Sequence, residues 1–198
     1  MPDGDVLLIA GDLTKRGLPN ELTVFNAWLE TLPYKEIICT YGNHELWVET
    51  NLEEAKQILS KAKVLVNEHC RLANGMKVFG SPICKWPIDW AFGVEHHIDR
   101  NEIWSNVAFD VDILLTHTPA FGIRDAIPYY SLGVGCDALL GNMYRFDSSK
   151  WHVFGHVHEQ YGREDHPKNF KHIAVNAAYC GRGYNNEFNS PIVVELND

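Results

Sequence analysis

The sequence predicts an α/β domain of layered sheets and helices whose strands pair both in parallel and antiparallel, and three observations carry that reading. Four short apolar runs end abruptly in polar, metal-type side chains, amphipathic helical patterns follow the first two, and a hairpin signal then breaks the alternation. Continuous apolar runs mark strands covered on both faces, the usual condition within a parallel sheet.

The elements follow in order. VLLIA, residues 6–10, predicts a strand that runs into Gly11 and Asp12. Behind Pro19, which a first helical turn tolerates, Leu22, Phe25, Leu29 and Leu32 recur at helical spacing and predict a crossover helix. EIICTY, residues 36–41, predicts a second strand and delivers Gly42, Asn43, His44 and Glu45. Thr50 and Glu53 stand at capping-box spacing before Leu52, Ala55, Ile58 and Leu59, so a second helix is expected to start there. Residues 64–72 and 76–82 read as short strands joined by a turn at Asn74-Gly75, a strong hairpin signal. A third helix is expected over residues 100–106 and a fourth over residues 135–145, where Leu139, Leu140 and Met143 share one side. Between them DILLT, residues 112–116, predicts a strand delivering His117. HVF, residues 152–154, predicts another, delivering Gly155, His156, Val157 and His158. IAVNAAYC (173–180) and PIVVEL (191–196) read as two more strands, and with no repeat, low-complexity tract or linker, residues 1–198 are expected to form a single domain.

Composition narrows the function. The 198 residues are 45% hydrophobic and 22% charged, enough apolar material for a proper core. Lys and Arg number 17 against 26 Asp and Glu, a formal charge of −9, and no basic cluster tracks a phosphate backbone. Duplex nucleic acid and anionic membranes are therefore poor partners. Five cysteines form no C-x-x-C pair, which fits a reducing, cytoplasmic setting without a disulfide framework. No apolar run approaches the roughly 18 to 20 residues that span a bilayer, and MPDGD lacks the basic start of a secretory signal. Gly133, Gly135 and Ala138 mimic a dinucleotide fingerprint, but no strand run precedes them and no acid lies about 20 residues on, so they read as a helix entry.

In open α/β sheets, ligands sit beyond the carboxyl ends of the strands. Here four strand ends supply Asp12, Asn43, His117, His156 and His158: one carboxylate, one amide oxygen and three imidazoles, a mixed set suited to divalent Mn, Fe or Zn. Thiolates are absent from these ends, which points to an open site rather than a closed structural zinc site. His156 and His158 are two apart, so on a strand they point at one object, whereas a bend at Gly155 splays them toward two. Arg124, just past His117, is a candidate for a phosphate oxygen or for pairing with Asp125, and the aromatic stretch at residues 85–93 for a lid or pocket wall.

The segments GDLT (11–14), GNHE (42–45), THTP (116–119) and GHVH (155–158), in this order, resemble the calcineurin-like metallophosphoesterases. GLPNELTVFNAWL, THTPAFGIRD and HVFGHVHEQYG resemble the small metallophosphoesterase-domain-containing subfamily, to which weak phosphodiesterase activity is attributed. The resemblance implies two stacked mixed sheets flanked by helices in four layers, with two metal ions at one end. It implies that Asp12 bridges the ions, that Asn43, His117 and His156 complete the second ion's shell, and that His158 binds the first, the two lying roughly 3.5 to 4 Å apart. His44 is implied to face the scissile phosphate, off the metals, while metal-activated water attacks phosphorus. The implied partner is a small phosphate ester, with a cyclic nucleotide among the candidates.

The family's first motif, Asp-x-His at the end of a first strand, is absent: no Asp-x-His occurs anywhere in the chain. The expectation is an N-terminally truncated domain with one well-formed metal site, a second weakened one, and a bare or substituted edge beside residues 6–10. Two functions follow, a phosphodiesterase or a non-catalytic metal- or nucleotide-binding protein.

Overall fold

A computed structural model describes residues 1–85, 89–128, 133–146, 149–181 and 187–196. Strands β1 (Val6–Ala10), β2 (Glu36–Thr40) and β3 (Lys63–Val64) form one sheet in that order, all pairs parallel. Val6 pairs with Glu36 and Ala10 with Thr40, so β1 and β2 end level and the loops carrying Asp12 and Asn43 leave side by side. The second sheet contains β4 (Glu68–Arg71), β5 (Lys77–Ser81), β6 (Ile113–Thr116), β7 (Trp151–Phe154), β8 (Gly162–Asp165) and β9 (Ile173–Asn176). Its order is β4-β5-β6-β7-β9-β8, parallel from β5 through β9 and antiparallel at each edge.

The alternation of strand side chains builds the layers. Ile113 and Leu115 point with Val78, Val153 and Val175 into a core between the sheets, which Ala10 and Ile38 close from the other side. Leu114 and Phe154 face the opposite way, onto Trp104 and Leu139, the buried faces of helices α4 (His97–Ser105) and α5 (Asp137–Asn142). The outer face of the first sheet is covered by α1 (Pro19–Glu30), α2 (Leu46–Thr50) and α3 (Leu52–Ile58), through Leu22, Leu29, Val48 and Ala55. Helices, sheet, sheet and helices make four layers, as expected. Each fully buried Leu, Ile or Phe stabilises this arrangement by about 1.5–3 kcal/mol.

Local chemistry explains the element boundaries. Glu21 of α1 reaches back to accept from the Leu18 and Arg16 amides, both at 3.0 Å, and satisfies donors that the first turn leaves open. At Asn74-Gly75 the chain turns with Gly75 at φ 90°, and Leu72 donates to the Met76 carbonyl at 2.9 Å, as the hairpin signal predicts.

Three expectations are corrected and one strand is new. Thr50 does not open a helix: α2 already runs from Leu46 to Thr50, the Thr50 hydroxyl bonds back to the Trp47 carbonyl, and Asn51 marks the break before α3. Residues 64–72 are not one strand but pass from β3 in one sheet to β4 in the other, with Asn67 at φ 56° between them. Residues 191–196 lie extended without joining a strand ladder; Ile192, Val194 and Leu196 pack on the intersheet core while the alternate side chains are exposed. Finally β8, whose residues GRED show no apolar run, is held by its ladder to β9. As expected of a bare or substituted edge, β1 ends its sheet, and among the described residues no strand pairs with its other side. A groove of about 920 Å³ runs along it, bounded opposite by residues 190–196 and ending at Asp12 and His158.

No helix among the described residues is long and apolar enough to cross a membrane.

Candidate metal centre

The four strand ends converge. Asp12 follows β1, Asn43 follows β2, His117 follows β6 and His156 follows β7. Two of these residues sit in the left-handed region, Asp12 at φ 51° and His156 at φ 65°, a conformation that non-glycine residues adopt at a cost of about 1–3 kcal/mol and that clusters at functional sites. The sharp turn of the GHVH segment therefore falls on His156 itself and not on Gly155. Val157 is buried, its carbonyl accepting from Asn176 Nδ2 at 2.8 Å, and His158 begins a short 3-10 turn. Residues two apart are thus no longer on one strand face. His156 joins the cluster with Asn43, and His158 stands half-buried on the groove beside Asp12.

The hydrogen bonds fix the orientation of His117. Its Nδ1 lies 2.8 Å from the Ala10 carbonyl, which can only accept, so Nδ1 carries the proton and Nε2 faces the cluster. Nε2 is 2.9 Å from Asn43 Oδ1, 3.2 Å from His156 Nδ1 and 3.4 Å from Asp12 Oδ1. His156 Nδ1 is also 2.9 Å from Asn43 Oδ1. An amide oxygen cannot donate, so each nitrogen must turn a proton toward it or share a cation with it. For His117 the first choice means an imidazolium with no solvent exposure. A divalent ion held by Asn43, His117 and His156 would satisfy these three donors at once, and their spacings of 2.9–3.2 Å suit the edges of a shell with ligand bonds of about 2.0–2.2 Å, while Asp12 approaches the group from the His117 side alone. These residues fit a metal.

The electrostatics favour a positive charge at this place, whichever cation carries it. Burial alone pushes Asp12 up, but the His117 charge, its hydrogen bond and the His44 amide outweigh it and hold the carboxyl well below the usual range. His117 is pushed down by burial and up more strongly by Asp12, for a net rise. Enclosure and the neighbouring His117 push His156 down to about 3, so it is a neutral, ligand-ready imidazole. Burial lowers His158 too.

His44 is placed differently from the ligands. Its amide donates to Asp12 Oδ1 at 3.0 Å, and its ring Nδ1 lies 3.2 Å from the Lys15 carbonyl, so Nδ1 carries a proton. Glu45 is the clamp beneath: fully buried, it accepts from the Gly42 amide at 2.7 Å, the Thr14 amide at 2.9 Å and the Thr14 hydroxyl at 3.2 Å, tying the Asp12 and Asn43 loops together. Burial and the Asp12 carboxylate push Glu45 up to about 8.

Arg124 directs its guanidinium to main chain: Nε to the Gln160 carbonyl at 2.8 Å, Nη2 to Tyr161 at 2.7 Å and Nη1 to Arg163 at 3.1 Å. It braces the segment that follows His158. Of the aromatic stretch at 85–93, residues 86–88 lie outside the described residues. Sequence reasoning missed Cys84. Its Sγ lies within 4.8 Å of a ring nitrogen of both His117 and His156, so a thiol does stand beside the cluster. It sits in the loop after β5 and not directly at a strand end, which hid it; only the neighbouring of β5 and β6 brings it here. Burial and Asp12 push this thiol well above its ordinary range, and it bonds to the Pro82 carbonyl at 3.4 Å.

Comparison with known proteins supplies the family. The family model for calcineurin-like phosphoesterases matches residues 1–160. Human metallophosphoesterase domain-containing protein 1 is 34% identical over 220 residues, covering 99% of this chain, which spans 66% of that protein's length. The UPF0046 protein T07D4.2 of Caenorhabditis elegans is 34% identical over 191 residues, covering 82% of this chain and 48% of its own. The crystal structure of TT1561 of Thermus thermophilus superposes with a TM-score of 0.59 at 12% identity, over 88% of this chain and 77% of that one, and shows the shared fold. By the family model that spans most of it and by the relatives it matches along its length, this chain belongs to the calcineurin-like phosphoesterase family.

Proposed function

We propose that this chain hydrolyses a small phosphodiester in a metal-dependent reaction. The observation that carries this reading is the convergence of Asp12, Asn43, His117 and His156, with His117 held in the ligating tautomer by the Ala10 carbonyl. Family membership supports phosphoesterase chemistry in general. A divalent ion held by these residues supplies Lewis-acid polarisation of a phosphoryl oxygen and activates water near neutral pH. The chain's own groups do the rest. Asp12, placed between the cluster and His158, holds negative charge that gathers cations. In its imidazolium form His44 keeps Nδ1–H on the Lys15 carbonyl and turns Nε2–H to the phosphate, where it balances developing charge and gives the Nε2 proton to the leaving oxygen, ending as the neutral Nδ1–H ring. The site's positive field comes from bound cations, so a chain of formal charge −9 can accept an anion. Asp12 and His158 would be the residues to hold a second, weaker ion, and Mn, Fe or Zn are the candidate ions.

The second reading, a non-catalytic metal- or nucleotide-binding protein, draws on the same geometry. The tight group of metal-type side chains among the described residues is Cys84, His117 and His156, which includes neither Asp12 nor His158. One experiment separates the two. Bis(p-nitrophenyl) phosphate hydrolysis is measured with Mn, Fe or Zn added, alongside bound metal, for wild type, His156→Ala and His44→Ala. The hydrolase reading expects His156→Ala to lose metal and activity together. It expects His44→Ala to keep its metal and lose about 100-fold or more in kcat. Wild type that binds metal and turns over no phosphoester would leave the second reading standing.

A further inference from the structure

Cys84 is the thiol that, among the described residues, shares a close group with the imidazoles of the site. Its Sγ and ring nitrogens of His117 and His156 all lie within 4.8 Å of one another. The side chain is fully buried, so it meets the centre from the protein interior and is closed to reagents in solution, while His156 keeps part of its surface open. Backbone bonds hold it there. The Cys84 amide donates to the Phe92 carbonyl at 3.0 Å, Val94 donates to the Cys84 carbonyl at 2.9 Å, and Ala91 of the same loop donates to the Asn43 carbonyl at 3.1 Å. The thiol is thereby kept in register with the amide ligand.

Charge gives this thiol a task. Asn43, His117 and His156 are neutral donors when they ligate, and Asp12 approaches from the His117 side alone. A dication held by them keeps at least one positive charge without a counter-charge in an enclosed place, which is costly. A thiolate from Cys84 offsets it. Bonds of about 2.3 Å to sulfur and 2.1 Å to nitrogen set a tetrahedral S···N edge of about 3.6 Å, so Sγ has to close by no more than about 1.2 Å. The contact given up is its weak hydrogen bond to the Pro82 carbonyl, at 3.4 Å.

We propose that Cys84 is a thiolate ligand of the ion held by Asn43, His117 and His156, and that it makes this position select a thiophilic ion, Zn, over Mn. The thiol gives its proton to solvent as the sulfur–metal bond forms, and no electron is transferred. This rests on the metal-dependent reading above and adds the class of ion. Imidazole and thiolate together suit Zn, whereas Mn prefers oxygen donors.

Cobalt(II), a coloured stand-in for zinc, tests the ligand directly. Metal-free protein is titrated with Co(II) and its absorption recorded for wild type, Cys84→Ser and Cys84→Ala, with thermal unfolding confirming that each variant is folded. Wild type is expected to show a thiolate-to-cobalt charge-transfer band in the near ultraviolet. Both variants should lack that band while keeping the weaker d–d absorption of cobalt bound by the remaining ligands. In competition experiments, Cys84→Ser should lose at least about tenfold in Zn affinity and less in Mn affinity. Wild type that binds Co(II) without the band, variants that keep it, or equal losses of Zn and Mn affinity would overturn the thiolate ligand and leave the phosphoesterase reading intact. The wild-type spectrum decides this even where a variant fails to fold, because Cys84 is the thiol of that group. Wild type that binds neither Co(II) nor Zn would overturn the metal-dependent reading, and the thiolate ligand with it.

Discussion

Gly42 carries no side chain, and the metal centre depends on that. A β-carbon there would lie 2.5 Å from the Asp12 amide nitrogen and 2.5 Å from His117 Cε1, distances that real side chains do not tolerate. Neither neighbour can yield, because Asp12 receives the His44 amide and His117 is tied to Ala10. Gly42→Ala removes no ligand, yet it should separate Asp12 from His117 and empty the site. Bound metal, measured after dialysis, is expected to fall by about tenfold or more, as when the supports of a ligand are lost. A Gly42→Ala protein that holds metal like wild type would show that the cluster flexes in a way this geometry denies. The strained backbones of Asp12 and His156 fit the same picture: both torsions persist because neighbouring hydrogen bonds and packing over-determine them.

Strands β6 and β7 deliver His117 and His156, and a second histidine couples them from inside the sheet. His152 on β7 is fully buried, with Nε2 2.9 Å from the Thr116 hydroxyl of β6. That hydroxyl already donates to the Thr118 carbonyl at 2.6 Å, so it accepts from His152, which is therefore the neutral Nε2–H tautomer. Burial, and then the neighbouring His172, push His152 well below its ordinary range. The unfolded chain takes up this proton near pH 6.5 and the folded chain does not, so the folded state is fully favoured above that pH and loses ground as pH falls below it. Urea unfolding at pH 7, 6 and 5 should show stability falling toward acid, and His152→Gln, which keeps a donor for Thr116, should remove up to about 1.4 kcal/mol per pH unit of that slope. An unchanged slope would place the proton uptake elsewhere. The elements that carry the site were the legible ones. The strands before Asp12, Asn43, His117 and His156 are covered on both faces, and that condition writes itself into the sequence as an apolar run. β8 was illegible because an edge strand needs only its ladder, and residues 191–196 misled because their alternation reports packing without pairing. Cys84 was invisible for a different reason: its place beside His117 is set by which strands neighbour each other, not by any local pattern.

The groove along β1 joins the fold to the chemistry. Val6 and Leu8 pack on the intersheet core on one side of it, and Ile192, Val194 and Leu196 pack on the same core on the other. Two extended segments that share one layer, with an apolar channel of about 920 Å³ between them, leave room shaped for one more strand. The bare edge of β1 offers that strand its main-chain groups, and uncovered it is a liability for aggregation. A strand parallel to β1 would point its carboxyl end at Asp12 and His158, where the family resemblance places Asp-x-His, and it would need a crossover of a dozen or more residues to reach Met1. The prediction is that fusing such a segment, an apolar strand ending in Asp-x-His followed by a crossover, raises both melting temperature and phosphodiester hydrolysis. In a chain of this size each kcal/mol gained shifts Tm by about 2–4 °C, so a filled groove should give a rise of several degrees. Two controls divide the effects. Replacing Asp-x-His in the fusion by Asn-x-Ala should keep the thermal gain and lose the gain in rate, because the strand still fills the groove while the added ligands are gone. Replacing the strand's apolar residues by Ser should lose both. If the apolar fusion melts no higher than its Ser control, the groove is not a strand site.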